Sequence, residues 1–300
     1  MNQFLYSIGG IKFLLDCPYP LETSEAAYSE FLQPKKIRAA DTIPISISIA
    51  ENIPYQRQDV IVDSESWEIQ KQNLDYRLIQ RSSKTSDPIA VADFTIPMHG
   101  ISFTCSEIFI NRTHRSAVIH NPMMYPLDQI LITYALSMHK GMIVHGAGVY
   151  DEHMGGMVFC GRSGAGKTTI SRIIDRALPN GCILSDDRVI LRYENTHCFF
   201  YGTPWPGEGR YAVNTGKPLK ILLFLKHGKE TSLRKLPPGE SLDQLLPVAT
   251  IPWYDKDMIR IFLDTCDVFI REIPCYELTF IPEDTVLEVI RDTLANLGVG

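Results

Sequence analysis

Eight residues in the middle of the chain, Gly161-Arg162-Ser163-Gly164-Ala165-Gly166-Lys167-Thr168, meet every required position of the pattern G-x-x-x-x-G-K-[ST]. Each residue type answers a physical need. Glycines admit backbone conformations closed to other residues, so successive N–H groups can face a run of phosphates. A helix that follows aims its positive end at the same place. Lys167 adds a point charge on the outer phosphates, and the Thr168 hydroxyl can ligate Mg²⁺. The expected ligand is a nucleoside triphosphate, ATP with Mg²⁺, cradled by Gly161–Thr168 with Thr169 directly behind. The flanks fit as well: Gly156–Cys160 reads as an apolar strand, and Ile170, Ile173, Ile174 and Ala177 share one helical face. That context separates the motif from a glycine-rich turn carrying an accidental lysine.

A phosphate site needs a metal partner and a group that handles the nucleophile. Asp186-Asp187 follows Cys182–Ser185, the first strand predicted after the phosphate-loop helix. A strand–helix–strand connection places its two parallel strands in one sheet, often as neighbours. Both loops then open at the carboxyl edge, where ligands of open α/β sheets bind. One carboxylate would hold Mg²⁺ together with Thr168, for which Asp186 is the candidate. The other, Asp187, would take the proton of an incoming hydroxyl. Which aspartate does which stays open at this point, and a solvated acidic turn is the plain alternative. His145, in Val144-His145-Gly146, is the third candidate, against the plain alternative of a structural or exposed histidine.

The elements that must position these groups change character along the chain. Up to about residue 125 the pattern is β-rich, with short runs such as Ile11–Leu15 and Ile101–Thr104 and a hairpin expected over Ser64–Arg81. Ser82–Pro88 reads as a loop. From Pro126, apolar residues at 127, 130, 131, 134, 135 and 138 give the spacing of a helix, with Pro126 in the first turn and Gly141 as the stop. Strands follow at Met142–Tyr150 and Leu219–Leu225, helices at Ser241–Leu246 and within Asp255–Val268, and a strand at Cys275–Ile281. A closing helix over Glu283–Leu297 buries Val286, Leu287, Ile290, Leu294 and Leu297. The expected division is a β-rich region over 1–125 and an α/β nucleotide-binding domain over 126–300, α+β taken together.

Val144-His145-Gly146, the phosphate loop and Ser185-Asp186-Asp187-Arg188-Val189 occur in an order that resembles the catalytic domain of HPr kinase/phosphorylase, a bacterial serine kinase. Tyr201–Gly209, Pro218-Leu219 and Ile273–Leu278 look like segments of HPr-kinase-related proteins. The resemblance implies a phosphoenolpyruvate carboxykinase-like nucleotide-binding core. It implies that Lys167 and Thr168 bind phosphates and Mg²⁺, and that His145, Asp186 and Asp187 line the transfer site. Arg188 and Arg210 would neutralise charge near the phosphates. Glu208 and Trp205 are candidates for shaping an acceptor site, unless Thr203–Gly209 is simply a tight structural loop. The chain departs from the family in Thr168-Thr169, where Ser followed by Glu is usual, and in lacking the Arg-Gly-rich segment linked to HPr handling.

These readings imply a Mg²⁺·ATP-dependent kinase acting on a Ser/Thr-type hydroxyl of a protein, peptide or small molecule. The alternative is an ATP- or GTP-binding switch or scaffold that transfers nothing. A net charge of −6 and a pI near 5.8 give no footprint for nucleic acid. No apolar run reaches membrane-spanning length, and no basic region with an apolar run opens the chain, so a cytoplasmic protein is expected. The seven scattered cysteines read as reduced core thiols. The family resemblance implies a homo-oligomer.

Overall fold

The computed structural model describes residues 2–22, 26–33, 42–112, 117–178 and 181–296. It is a mixed α/β structure with large sheets and a few helices. By its contacts the chain divides into two compact units, one formed by Met1–Ser7 and Ile11–Met138, the other by Ile8–Gly10 and His139–Gly300.

The first unit is strand-dominated. It carries β1 (Asn2–Ile8), β2 (Ile11–Cys17), β3 (Leu21–Glu22), α1 (Ala26–Ser29), β4 (Leu32–Gln33), β5 (Ile43–Ile49) and β6 (Val60–Asp63). Then come β7 (Trp67–Gln72), β8 (Asp75–Arg81), β9 (Pro88–Thr95), β10 (Ile101–Cys105), β11 (Ile110–Arg112), β12 (Ala117–His120) and α2 (Leu127–Ser137). Nine strands form one sheet in the order β4-β1-β2-β5-β10-β9-β8-β7-β6. Alternation drives it: in β5, Ile43, Ile45 and Ile47 are buried while the residues between them are exposed. The expected hairpin is β7–β8, turning at Asn73, whose φ is +57°. The loop after it ends one residue early, because Pro88 opens β9. Pro126 caps α2 from outside, and Gly141 does not stop the helix. The chain turns at Lys140, with φ +46°, and Gly141 is already paired with Arg192 in the next sheet.

The second unit contains β13 (Gly141–Asp151), β14 (Gly155–Cys160), α3 (Lys167–Ala177), β15 (Cys182–Ser185), β16 (Arg188–Glu194), β17 (His197–Tyr201) and β18 (Gly216–His227). It closes with β19 (Ser232–Lys235), α4 (Pro238–Leu245), α5 (Lys256–Glu272), β20 (Cys275–Phe280) and α6 (Thr285–Asn296). The sheet order is β14-β13-β16-β17-β18-β20-β19, and a further β14–β18 pairing returns the path to its start. One expectation needs correcting here. β14 and β15 do run parallel in one sheet, but β13 lies between them, antiparallel to both. The long strand that precedes the loop supplies ladder partners on both of its sides, which a single strand–helix–strand reading does not anticipate. Expected Leu297 lies outside the described residues.

Helix α3 lays Ile170, Ile173 and Ile174 on Ala147, Val149, Met157, Phe159, Ile221 and Leu223, and α6 adds Val286, Leu287, Ile290 and Leu294 to the same core. No helix among the described residues is long and apolar enough to cross a membrane, which says nothing of strand-built pores. Ile174 is wholly buried on the inner face of α3. Ile174→Ala is expected to destabilise the second unit by about 2–5 kcal/mol, through lost transfer energy and the cavity left behind. Urea denaturation of wild type and variant measures it.

Candidate functional site

The phosphate loop leaves the buried end of β14 and is tied to its neighbour at once, since Gly161 N–H donates to the His145 carbonyl at 3.1 Å. Ala165 N–H closes a turn on the Arg162 carbonyl at 3.1 Å. Gly166 then caps α3 at φ +102°, where a side chain would be strained, and a Cβ there would lie 2.8 Å from the Phe280 ring. Gly166, as the cap residue, offers no side chain to accept the first-turn amides of α3. Arg162, Ser163 and Gly164 are exposed; Ala165, Gly166, Thr168 and Thr169 are half-buried. Lys167 is nearly buried, and its ammonium donates to the carbonyls of Gly161 at 3.0 Å and Arg162 at 3.2 Å. Burial holds that ammonium below its ordinary range, with the Asp187 carboxylate giving the strongest opposing pull.

On the other side of β13 the chain runs through β15 into β16. Ser185 lies opposite Gly148 and Arg188 opposite His145, so Asp186-Asp187 passes Ala147 and Gly146 between them. The two carboxylates find different partners. Asp186 is buried, and its oxygens accept the Gly207 and Gly209 amides at 2.8 and 2.6 Å. A Cβ on either glycine would lie 2.8 Å from Asp186 Oδ2, so only glycine lets the backbone come this close. Asp187 faces His145 instead, with Oδ1 2.6 Å from Nε2 and Oδ2 3.7 Å from Arg188 Nε. Burial pushes the Asp187 carboxyl up. The His145 hydrogen bond and charge, then Arg188 and Lys167, outweigh it and hold the group below its usual range. An ionised carboxylate only accepts, so His145 Nε2 carries the hydrogen of this pair.

The Gly202–Thr215 segment is stitched at its base. Gly202 N–H donates to the Thr215 carbonyl, Thr203 Oγ1 to the Arg188 carbonyl, and Val213 N–H to the Leu184 carbonyl. Trp205 is buried in it, while Glu208, Gly209 and Arg210 are exposed at its tip. The expected site residues His145, Asp187, Arg188 and Lys167 therefore gather beside the middle of β13, with Asp186 turned into the loop clamp.

Three participants escaped sequence reasoning. Val248–Thr250 runs beside β13, where the Val248 carbonyl accepts His145 N–H at 2.7 Å. The Gly207 and Gly209 amides hold Asp186, a role that their spacing in Gly207-Glu208-Gly209 hints at. His227 Nε2 lies 2.8 Å from the Gly164 carbonyl, and nothing in its local sequence signals this.

No protein-family model matches the chain. No curated protein matches it either. A solved structure to which it is similar is that of the Hpr(Ser) kinase/phosphatase from Coxiella burnetii, at 12% sequence identity and a TM-score of 0.32, over 52% of this chain and 98% of that one. At that identity and score the likeness carries no functional argument.

Asp186→Asn puts an amide donor against one of two backbone donors. It is expected to cost about 1–3 kcal/mol, the penalty of a buried hydrogen-bonding group left unmatched. Hydrogen exchange at Gly207 and Gly209 should quicken while exchange along β18 stays slow. A second expectation concerns pH. The lowered Asp187 value means the pair stabilises the fold above the carboxylate's ordinary 3.8 and loses that contribution as pH falls through the depressed folded value. His145→Ala removes the largest lowering influence, so the Asp187 titration should move upward, read by carboxylate ¹³C NMR.

Proposed function

We propose that this chain is a Mg²⁺·ATP-dependent phosphotransferase that moves the γ-phosphoryl group to a Ser/Thr-type hydroxyl on a protein, peptide or small molecule. The observation that carries the reading is the Asp187 carboxylate, held by His145 and electrostatically coupled to Lys167, the first residue of the helix after the glycine-rich loop. A triphosphate lies along the Gly161–Thr169 amides, and Lys167 leaves its loop carbonyls for the outer phosphates. The acceptor hydroxyl gives its proton to Asp187 as its oxygen attacks the γ-phosphorus. The bond to the bridging oxygen breaks, and the nucleoside diphosphate leaves with that electron pair. His145 orients Asp187, and Arg188 supplies a second cation beside it.

The residues fit a hard cation. Thr168 on the first turn of α3 would offer a hydroxyl oxygen, a donor that suits Mg²⁺ beside a triphosphate, and leaves Asp187 to act as the base. When bound, Mg²⁺ neutralises phosphate charge. Asp186, the ligand expected from sequence, already accepts two backbone amides, so we assign it to holding the Gly207–Gly209 backbone. We place these roles in the unit that includes His139–Gly300.

The test is transfer of γ-labelled phosphate from Mg²⁺·ATP to hydroxyl-bearing peptides and small alcohols. Asp187→Asn should lower transfer by about 10²–10⁴-fold, the range for a positioned general base. Lys167→Ala should abolish nucleotide binding. Transfer indifferent to Asp187→Asn would sink the assignment. ATP-dependent partner binding with no transfer would instead support the switch reading.

A further inference from the structure

The last residues of β18 and β20 face each other at the phosphate loop, His227 paired with Phe280. Both reach the loop. His227 Nε2 lies 2.8 Å from the Gly164 carbonyl, and the Phe280 ring underlies Gly166, whose added Cβ would meet it at 2.8 Å and His227 Cε1 at 3.9 Å. A carbonyl oxygen can only accept, so the imidazole is in a form with hydrogen on Nε2. Gly164 and Gly166 are the loop's two residues at positive φ, +82° and +102°. Glycine visits either sign of φ at little cost, so these are the peptides best able to turn over. The peptide after Gly164 is fastened at both ends, its oxygen by His227 and its N–H by the Arg162 carbonyl. Phe280 blocks the space under Gly166.

We infer that the His227–Phe280 cross-strand pair is a positioning device for the phosphate loop, setting its peptide orientation for a triphosphate before the ligand arrives. The inference rests on the nucleotide reading above. Its energetic logic is preorganisation: a loop already held in one arrangement loses less conformational freedom on binding. His227 acts through Gly164 and needs no contact with the nucleotide. His227 is exposed, so its substitution leaves the packed core intact.

Binding of a fluorescent ATP analogue with Mg²⁺, titrated on the full chain, tests it. His227→Ala should weaken binding by about three- to tenfold, the scale of one net hydrogen bond. His227→Gln, whose amide nitrogen falls near the place of Nε2, should restore binding to within about twofold. The melting temperature of the nucleotide-free protein should be the same for all three. Wild-type affinity in His227→Ala would overturn the device, as would a Gln variant no better than Ala. Lys167→Ala in the same series separates the two proposals. Failure of wild type to bind overturns both, whereas binding that needs Lys167 and ignores His227 overturns the device alone.

Discussion

The second unit depends on β13 being paired along both sides. Its Gly146–Asp151 portion holds β14 on one flank while Gly148–Tyr150 holds β15 on the other, and Gly141–His145 continues onto β16. Adjacent strands sit about 4.8 Å apart. That spacing sets how far the phosphate loop, leaving β14, stands from the aspartate pair that joins β15 to β16. The strand has no slack where it matters. A Cβ on Gly148 would lie 2.9 Å from the Phe200 ring, and one on Gly146 would lie 3.1 Å from the Phe159 carbonyl. His145 is the β13 residue that meets both loops, its side chain at Asp187 and its backbone carbonyl at Gly161.

Charge completes what the ladder begins. Lys167 is nearly buried, and a buried ammonium must be hydrogen-bonded. Two carbonyls of its own loop serve at 3.0 and 3.2 Å. Those carbonyls present only dipoles to the ammonium, whereas a phosphate oxygen would bring a full opposite charge, so the exchange would favour an anion. Across β13, Asp187 stays ionised because His145, Arg188 and Lys167 together outweigh its burial. The cationic loop and the carboxylate thus support each other's charge in a site too dry for water to screen them fully.

The neighbouring aspartates show how far adjacency in sequence is from equivalence in space. Asp186 and Asp187 share residue type and adjoining places between β15 and β16. One is committed to two backbone amides and the other to an imidazole and a guanidinium. The bend between β15 and β16 sends one to the Gly207–Gly209 backbone and the other to His145. The division ties the tip carrying Glu208 and Arg210 to the same short segment that presents Asp187.

Much of the local structure was legible from residue types alone. The phosphate-loop pattern, the apolar strand before it and the α3 face of Ile170, Ile173 and Ile174 all follow from periodicity and from what glycine permits, and β15 was bounded residue for residue. Helix α5 was seen only in part, because its last turn depends on burial of Phe269 in the fold. What the sequence could not carry were the long-range pairings. They include the placing of β13 between β14 and β15, the Val248 carbonyl on His145, the Gly207–Gly209 clamp on Asp186 and the reach of His227 to Gly164. Apart from the β13–β14 hairpin, each joins segments from about twenty to a hundred residues apart, with no local conformational preference to mark it. Residue chemistry by itself determined that this chain carries the glycine-rich Gly161–Thr168 pattern between an apolar strand and an amphipathic helix, with an aspartate pair after the next strand. Only the tertiary structure decided which carboxylate pairs with His145 and which holds the Gly207–Gly209 backbone, because that choice is made by strand order and backbone hydrogen bonds.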